Sequence, residues 1–301
     1  MPGKNGPLES LRREACRQKP HTARFFTDTA SSLWRGRVSQ PMSGYLTKQE
    51  SIAVDGVEQL TIRSLLDKQQ FDDPQGEAER LGISDAFWPL FGLLWPSGEQ
   101  LAACMAARPR VAGERILELG CGLGLASLVC HRRGEDITAS DCHPLAGAFM
   151  RENLQLNHLP PMKFRIGHWG ATHSDATAYE RMDIADRDHD DLAHGVRSLP
   201  TDFQSATSEQ SDAWAVDGRF DLIVGSDLLY ERDARATLPH YIESHCTPAA
   251  QVWVIDPDRG NRSAFSRQMA ELGFGVEEQR LDRAVSELLP AYKGRLLKYQ
   301  R

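Results

Sequence analysis

The stretch Ile116-Leu117-Glu118-Leu119-Gly120-Cys121-Gly122-Leu123-Gly124 decides how this chain is read: an apolar strand carrying one acid runs into three alternating glycines, and a helical pattern follows. Glycine lets a backbone turn sharply and approach a ligand closely, and the helix behind it presents free N–H groups and a positive dipole end. A ligand with a carboxylate or phosphate suits such a loop. A dinucleotide fingerprint would place its third glycine where Leu125 stands; here that glycine comes one residue early, at Gly124. Glu118 also sits two residues before the first glycine. An acidic strand end beside glycine amides matches the α-ammonium and α-carboxylate of S-adenosylmethionine, and favours it over NAD or FAD.

Outward from the loop, the next strand runs from Asp136 and ends at Ser140-Asp141, 21 residues past Gly120. An acid at that distance, on the tip of the second strand, is placed to accept hydrogen bonds from ribose hydroxyls. The chain goes on alternating apolar runs with helical patterns. Arg115 to Leu119 precedes a helix to Arg133; Asp136 to Ser140 precedes a helix over Leu145 to Asn157; Lys163 to Ile166 is the third strand. Phe220 to Ser226 precedes a helix over Asp233 to Ser244, and Gln251 to Ile255 one over Ser263 to Leu272; Gly275 to Leu281 and Arg295 to Tyr299 close the series. Strand and helix alternation at this spacing predicts an α/β fold with a doubly wound, mostly parallel sheet, and right-handed crossovers put helices on both faces.

Ahead of this unit, Ile52 and Val54, the turn Asp55-Gly56, then Val57, Leu60 and Ile62 read as a small hairpin. Ser97 followed by Gln100 reads as a capping box that starts a helix running to about Arg108, bracketed by Pro96 and Pro109. The predicted organisation is a basic arm over 1–50, a hairpin and lead-in over 51–96, and a catalytic domain over 97–301 with an acidic insertion at 171–217.

Composition bounds the rest. The chain has 301 residues, six cysteines and a formal charge of −7, enough length for a substantial core. The longest near-continuous apolar run, Ala86 to Pro96, is about half of what a bilayer needs, so no membrane span is expected. The first 25 residues hold no apolar block of the secretory kind. Cys16, Cys104, Cys121, Cys130, Cys142 and Cys246 form no C-x-x-C pair, so reduced thiols and a cytoplasmic location are expected.

Residues 1–50 carry nine Lys/Arg against four Asp/Glu, a charge of +5 that leaves −12 for the remainder. The arm, with Phe25, Phe26 and Trp34, has the make-up of a nucleic-acid contact, but an acidic body repels phosphate, so nucleic acid is not the expected partner. Residues 171–217 hold eleven Asp/Glu and three Arg, a charge of −8, with no sustained periodicity, and read as a loop. Its His173, His189 and His194 are irregularly spaced, and no metal site is expected.

With these parts in place, the chain resembles class I methyltransferases, and within them the methyltransferase-16 group of protein-lysine methyltransferases and its bacterial relatives. Four segments carry the resemblance: Leu94-Trp95-Pro96-Ser97, Glu118 to Gly124, His168-Trp169-Gly170, and Phe220 to Tyr230, which contains the acid-x-x-aromatic motif Asp227 to Tyr230. The resemblance spans roughly residues 85 to 300 and implies a seven-stranded Rossmann-like sheet with an antiparallel last strand. It also implies roles. Glu118, Gly120, Gly122 and Gly124 would hold the methionine end of S-adenosylmethionine, Asp141 the ribose, and Trp169 the edge of the adenine pocket, with Trp95, His168 and Ser226 on the cofactor side. Asp227 and Tyr230 would face the methyl acceptor. Many relatives have an acid where this chain has His168, which accepts from an adenine amino group only as the right neutral tautomer.

Each assignment has a plainer counterpart: Asp227 as a strand-end cap, Tyr230 and Trp95 as packing, Asp141 as a turn residue. Ser97 is a helix cap on local grounds that would also orient the cofactor's amino-acid end, and Arg259, after the fifth strand, is a candidate gate for the substrate. The expected reaction is methyl transfer to a nitrogen, foremost a protein lysine. A small-molecule N-methyltransferase and a non-catalytic nucleoside-binding module are the alternatives.

Overall fold

The computed structural model describes residues 38–42, 44–74, 76, 81, 83–169, 215–283 and 291–301. Most of the basic arm, Gly170, and the insertion as far as residue 214, with its three histidines, lie outside the described residues. The described residues fall within one compact unit, Gly36–Arg301.

Its first element is a three-stranded antiparallel sheet of β1 (Val38–Met42), β2 (Tyr45–Ile52) and β3 (Leu60–Leu65). The hairpin read from the sequence is the β2–β3 pair, with Ile52 opposite Leu60 and Asp55-Gly56 in the turn. A third strand precedes it, and β1 and most of β2 come from residues that charge alone had grouped with the arm. The free edge of β3 is covered by side chains. The amide of Asn157 accepts from Thr61 N at 2.9 Å and donates to Thr61 O at 2.8 Å, and Asn153 does the same for Arg63 at 2.7 and 3.3 Å. Two asparagines four apart on a helix thus meet two residues two apart on a strand, and stand in for a neighbouring strand.

A 3-10 helix (Trp88–Gly92) leads to α1 (Pro96–Ala107). The expected capping box does not form. Pro96 is the first helical residue, where its missing N–H costs nothing, and Trp95 occupies the cap position without a side-chain bond. Ser97 turns inward instead, its hydroxyl 3.1 Å from that of Tyr292.

The main unit alternates β4 (Arg115–Leu119), α2 (Leu125–Arg132), β5 (Asp136–Asp141), α3 (Ala146–Leu156), β6 (Lys163–Ile166), β7 (Phe220–Ser226), α4 (Thr237–His245), β8 (Cys246–Asp256), α5 (Arg262–Glu271), β9 (Gly275–Arg280) and β10 (Arg295–Gln300). The seven strands lie in the order β6-β5-β4-β7-β8-β10-β9. All neighbours are parallel except β10, which runs antiparallel to both β8 and β9. This is the doubly wound sheet with an antiparallel last strand that the sequence and its resemblance led us to expect.

Successive residues of a strand face opposite sides, and here they enter two separate cores. Ile116, Leu222, Val224 and Ile255 join the core with Leu101, Met105 and Leu128. Leu117, Leu119, Ile223, Val252 and Val254 join the one with Leu238, Ile242, Phe265 and Met269. The central strands are therefore apolar on both faces, as buried parallel strands must be. The same alternation puts Glu118 on the side of Ile116, toward α2. The order reverses between β4 and β7, and the carboxyl ends of strands at such a switch point are where doubly wound sheets hold ligands.

Candidate active site

A cavity of about 440 Å³ opens at this rim. Of the residues singled out from the sequence, Trp95, Glu118, Gly120, Gly122, Gly124, Asp141, His168, Trp169, Ser226, Asp227, Tyr230 and Arg259 line it. Ser97 does not line it, although its neighbour Gly98 does.

The glycine loop is held shut by its own backbone. Cys121 N donates to Ser140 O at 2.9 Å and Gly124 N to Cys121 O at 2.7 Å. Gly122 N donates to Asp141 Oδ2 at 2.8 Å, and Ser127 N to Glu118 Oε2 at 2.8 Å. These four amides are therefore engaged within the protein, which narrows the expected free donors of the loop and helix start to the remaining amides. The glycines act through space. All three have left-handed φ, and a Cβ on Gly122 would come 2.8 Å from Phe91 O, and one on Gly124 1.9 Å from Met150 Cε. Only glycine allows the loop to press against these neighbours and leave the cavity open.

Glu118 and Asp141 are buried, 3% and 6% exposed. Glu118 also receives the Ser127 hydroxyl. Its pKa is pushed up to about 7, chiefly by burial, against the bonds from Ser127. Asp141 accepts Gly122 N on one oxygen and His143 N on the other, both at 2.8 Å. Burial raises its pKa and those amide bonds hold it back.

The other end of the cavity is built differently. Asp227, just past the tip of β7, has φ +56°, a left-handed conformation that aspartate tolerates better than most residues. Its Oδ1 accepts from Arg259 Nε at 2.8 Å. The Arg259 guanidinium also lies 6.0 Å from the ring of Trp95, whose Nε1 donates to Leu90 O at 2.9 Å. Tyr230 is 49% exposed, its ring 5.8 Å from that of Phe87, and burial of its hydroxyl raises its pKa to about 12. Trp169 packs near Tyr241 with ring centres 6.2 Å apart.

Two groups of lining residues were not singled out from the sequence as part of the site. The apolar run that is too short for a membrane becomes a wall of the cavity, through Phe87, Leu90, Phe91, Leu93 and Leu94. His143 is 4% exposed, stacks on Phe91 at 3.7 Å, and is driven by burial to a pKa of about 3, so it stays neutral. Leu145 N donates to its Nδ1 at 3.1 Å, which leaves the proton on Nε2, a buried donor with no partner among the described residues. Its signal was its place, two residues past Asp141. No group of three metal-ligating side chains occurs among the described residues.

Strand order, glycine loop and strand-tip acids together give the chain the architecture of a class I methyltransferase domain. Its relatives in sequence are protein-lysine methyltransferases. The electron transfer flavoprotein beta subunit lysine methyltransferase of Xenopus laevis is 29% identical over 153 residues, covering 48% of this chain and 61% of that protein. The mouse protein of that name is 24% identical over 242 residues, 78% of this chain and 76% of its own length. A calmodulin-lysine N-methyltransferase of Arabidopsis thaliana is 37% identical over 68 residues, 22% of each chain. The match thus spans under two thirds of the Xenopus relative and about three quarters of the mouse one. No family model matches the chain.

Proposed function

We propose that this protein is an S-adenosylmethionine-dependent N-methyltransferase whose acceptor is a lysine side chain of another protein. The observation that carries the reading is one cavity holding both the glycine loop with its two buried acids and, at its exposed end, the carboxylate of Asp227 among aromatic rings. The lysine acceptor is supported by the names of the sequence relatives. We also propose a cytoplasmic setting, a reading supported by cysteines that form no C-x-x-C pair.

The lining fits the cofactor. The Glu118 carboxylate suits its α-ammonium. Asp141, whose oxygens keep lone pairs beyond those used by the two amides, suits the ribose hydroxyls, and the unpartnered Nε2–H of His143 nearby asks for an acceptor atom that a nucleoside supplies. Trp169 and the apolar wall suit a flat base. When bound, the cofactor supplies a methyl group already activated on a sulfonium.

The protein must then orient the acceptor, a positioning task that accounts for much of the barrier in such transfers. A lysine that enters as its ammonium must also lose its proton before it reacts. From a reference pKa near 10.4, losing its proton at pH 7 costs roughly 4–5 kcal/mol. Exclusion of water by the rings of Trp169 and Tyr230 lowers that cost once the ammonium has entered. Asp227 accepts an N–H bond from the amine and aims its lone pair; while the lysine is still charged the same carboxylate holds its proton on, so orientation is its role.

Incubating the protein with a cell lysate and labelled S-adenosylmethionine tests the reading. Label on a lysine of a protein, located by mass spectrometry, supports it. Label confined to small molecules overturns the choice of acceptor.

A further inference from the structure

We propose that Arg259 is a resident cation in the acceptor end of the cavity: its guanidinium takes the carboxylate and the aromatic face that an acceptor lysine uses, so the acceptor enters by displacing it. The inference rests on the functional reading above and adds a gate to that site.

The geometry gives three reasons. First, Arg259 makes the two contacts a lysine ammonium would make, Nε to Asp227 Oδ1 at 2.8 Å and the cation over Trp95 at 6.0 Å, within the reach of a cation–π attraction. Both partners line the same cavity.

Second, the pair is asymmetric: the side chain of Asp227 is 15% exposed and that of Arg259 is 42% exposed. The carboxylate belongs to the site, while the guanidinium reaches in from solvent. Ion pairs this exposed are weak and exchange readily.

Third, the loop is pinned on both sides of Arg259. Asp258 pairs with Arg262 at 2.7 Å and Arg295 at 3.0 Å, and Asn261 Nδ2 donates to Leu229 O at 2.9 Å. Asp258 and Gly260, at φ +61° and +97°, turn the backbone sharply around it. The loop stays, and the side chain moves. A gate of this kind favours acceptors that bring their own cation on a flexible stem, since only these regain the contacts that Arg259 gives up. Neutral nucleophiles must break the pair without replacing it.

The test uses n-butylammonium as a minimal lysine side chain, titrated by calorimetry into wild type, Arg259→Gln and Arg259→Lys, each with and without saturating S-adenosylhomocysteine. Arg259→Gln keeps a polar side chain that ends where the Arg259 Nε stands but removes the charge, and is expected to bind the probe about fivefold or more tightly, because a site freed of its competitor is fully populated. Arg259→Lys restores the cation and is expected to stay within about twofold of wild type. If Arg259→Gln binds the probe no better than wild type, Arg259 merely positions Asp227 and the proposal is overturned. If S-adenosylhomocysteine fails to bind wild type, the cofactor reading fails by itself, and the titration without it still decides the role of Arg259.

Discussion

Three acids that line the cavity at the carboxyl rim of the sheet are held in two unlike ways. Glu118 and Asp141, at β4 and β5, are buried; Glu118 is bonded to a backbone amide in the first turn of α2, and Asp141 to amides of the glycine loop and of the turn after β5. Asp227, past β7, is bonded to the guanidinium of Arg259. An amide fixed in the fold cannot leave, whereas a guanidinium on a flexible stem can. One half of the cavity is thus set in shape before any ligand arrives, as a cofactor bound in every turnover requires. The other half is closed by an exchangeable partner, as suits a site that admits an acceptor and releases a product.

The largest expected effect comes from breaking the fixed half. Gly122→Arg places a side chain against Phe91 O in a left-handed turn, and calorimetry should find S-adenosylmethionine binding lost, weakened by about a hundredfold or more. Next is Glu118, whose folded-state pKa near 7 lies above its ordinary 4.5. Binding the cofactor's ammonium draws on the charged form, so affinity should rise about tenfold from pH 6 to pH 8, and Glu118→Gln should flatten that slope. In the cofactor-free protein the sign is opposite. The protonated acid favours the fold, so its stabilisation is complete below pH 4.5 and is lost as the pH rises through about 7.

A smaller effect sharpens the contrast between the halves. Asp141→Asn turns an N–H toward a backbone N–H and should cost about 2–3 kcal/mol in urea denaturation, while Asp227→Asn, at an exposed pair, should cost under about 1 kcal/mol. The smallest concerns the start of α1. Ser97→Ala and Tyr292→Phe should each cost about 0.5–1.5 kcal/mol and be non-additive, the mark of one shared hydrogen bond rather than a lost helix cap.

Local chemistry explains what was legible in the sequence. The glycine loop, the acids at β4, β5 and β7, and the order of strands and helices all follow from patterns a few residues long, and each of those residues is found at the cavity. What escaped depends on partners far along the chain. Ser97 has the local make-up of a cap, but Tyr292, 195 residues away, claims its hydroxyl. Arg259 meets Asp227 across 32 residues. Phe91 and His143 belong to stretches with no period of their own and matter only through where the fold sets them. β8 begins at Cys246, ahead of the Gln251 read from the sequence, because Thr247-Pro248-Ala249-Ala250 lacks the apolar signal of a strand.

The separation of the two halves is tested most directly by measuring, on one preparation of Asp227→Ala, both S-adenosylmethionine affinity and methyl transfer. The account predicts affinity within about twofold of wild type and transfer reduced by about a hundredfold or more. Transfer within a factor of about two of wild type would contradict it.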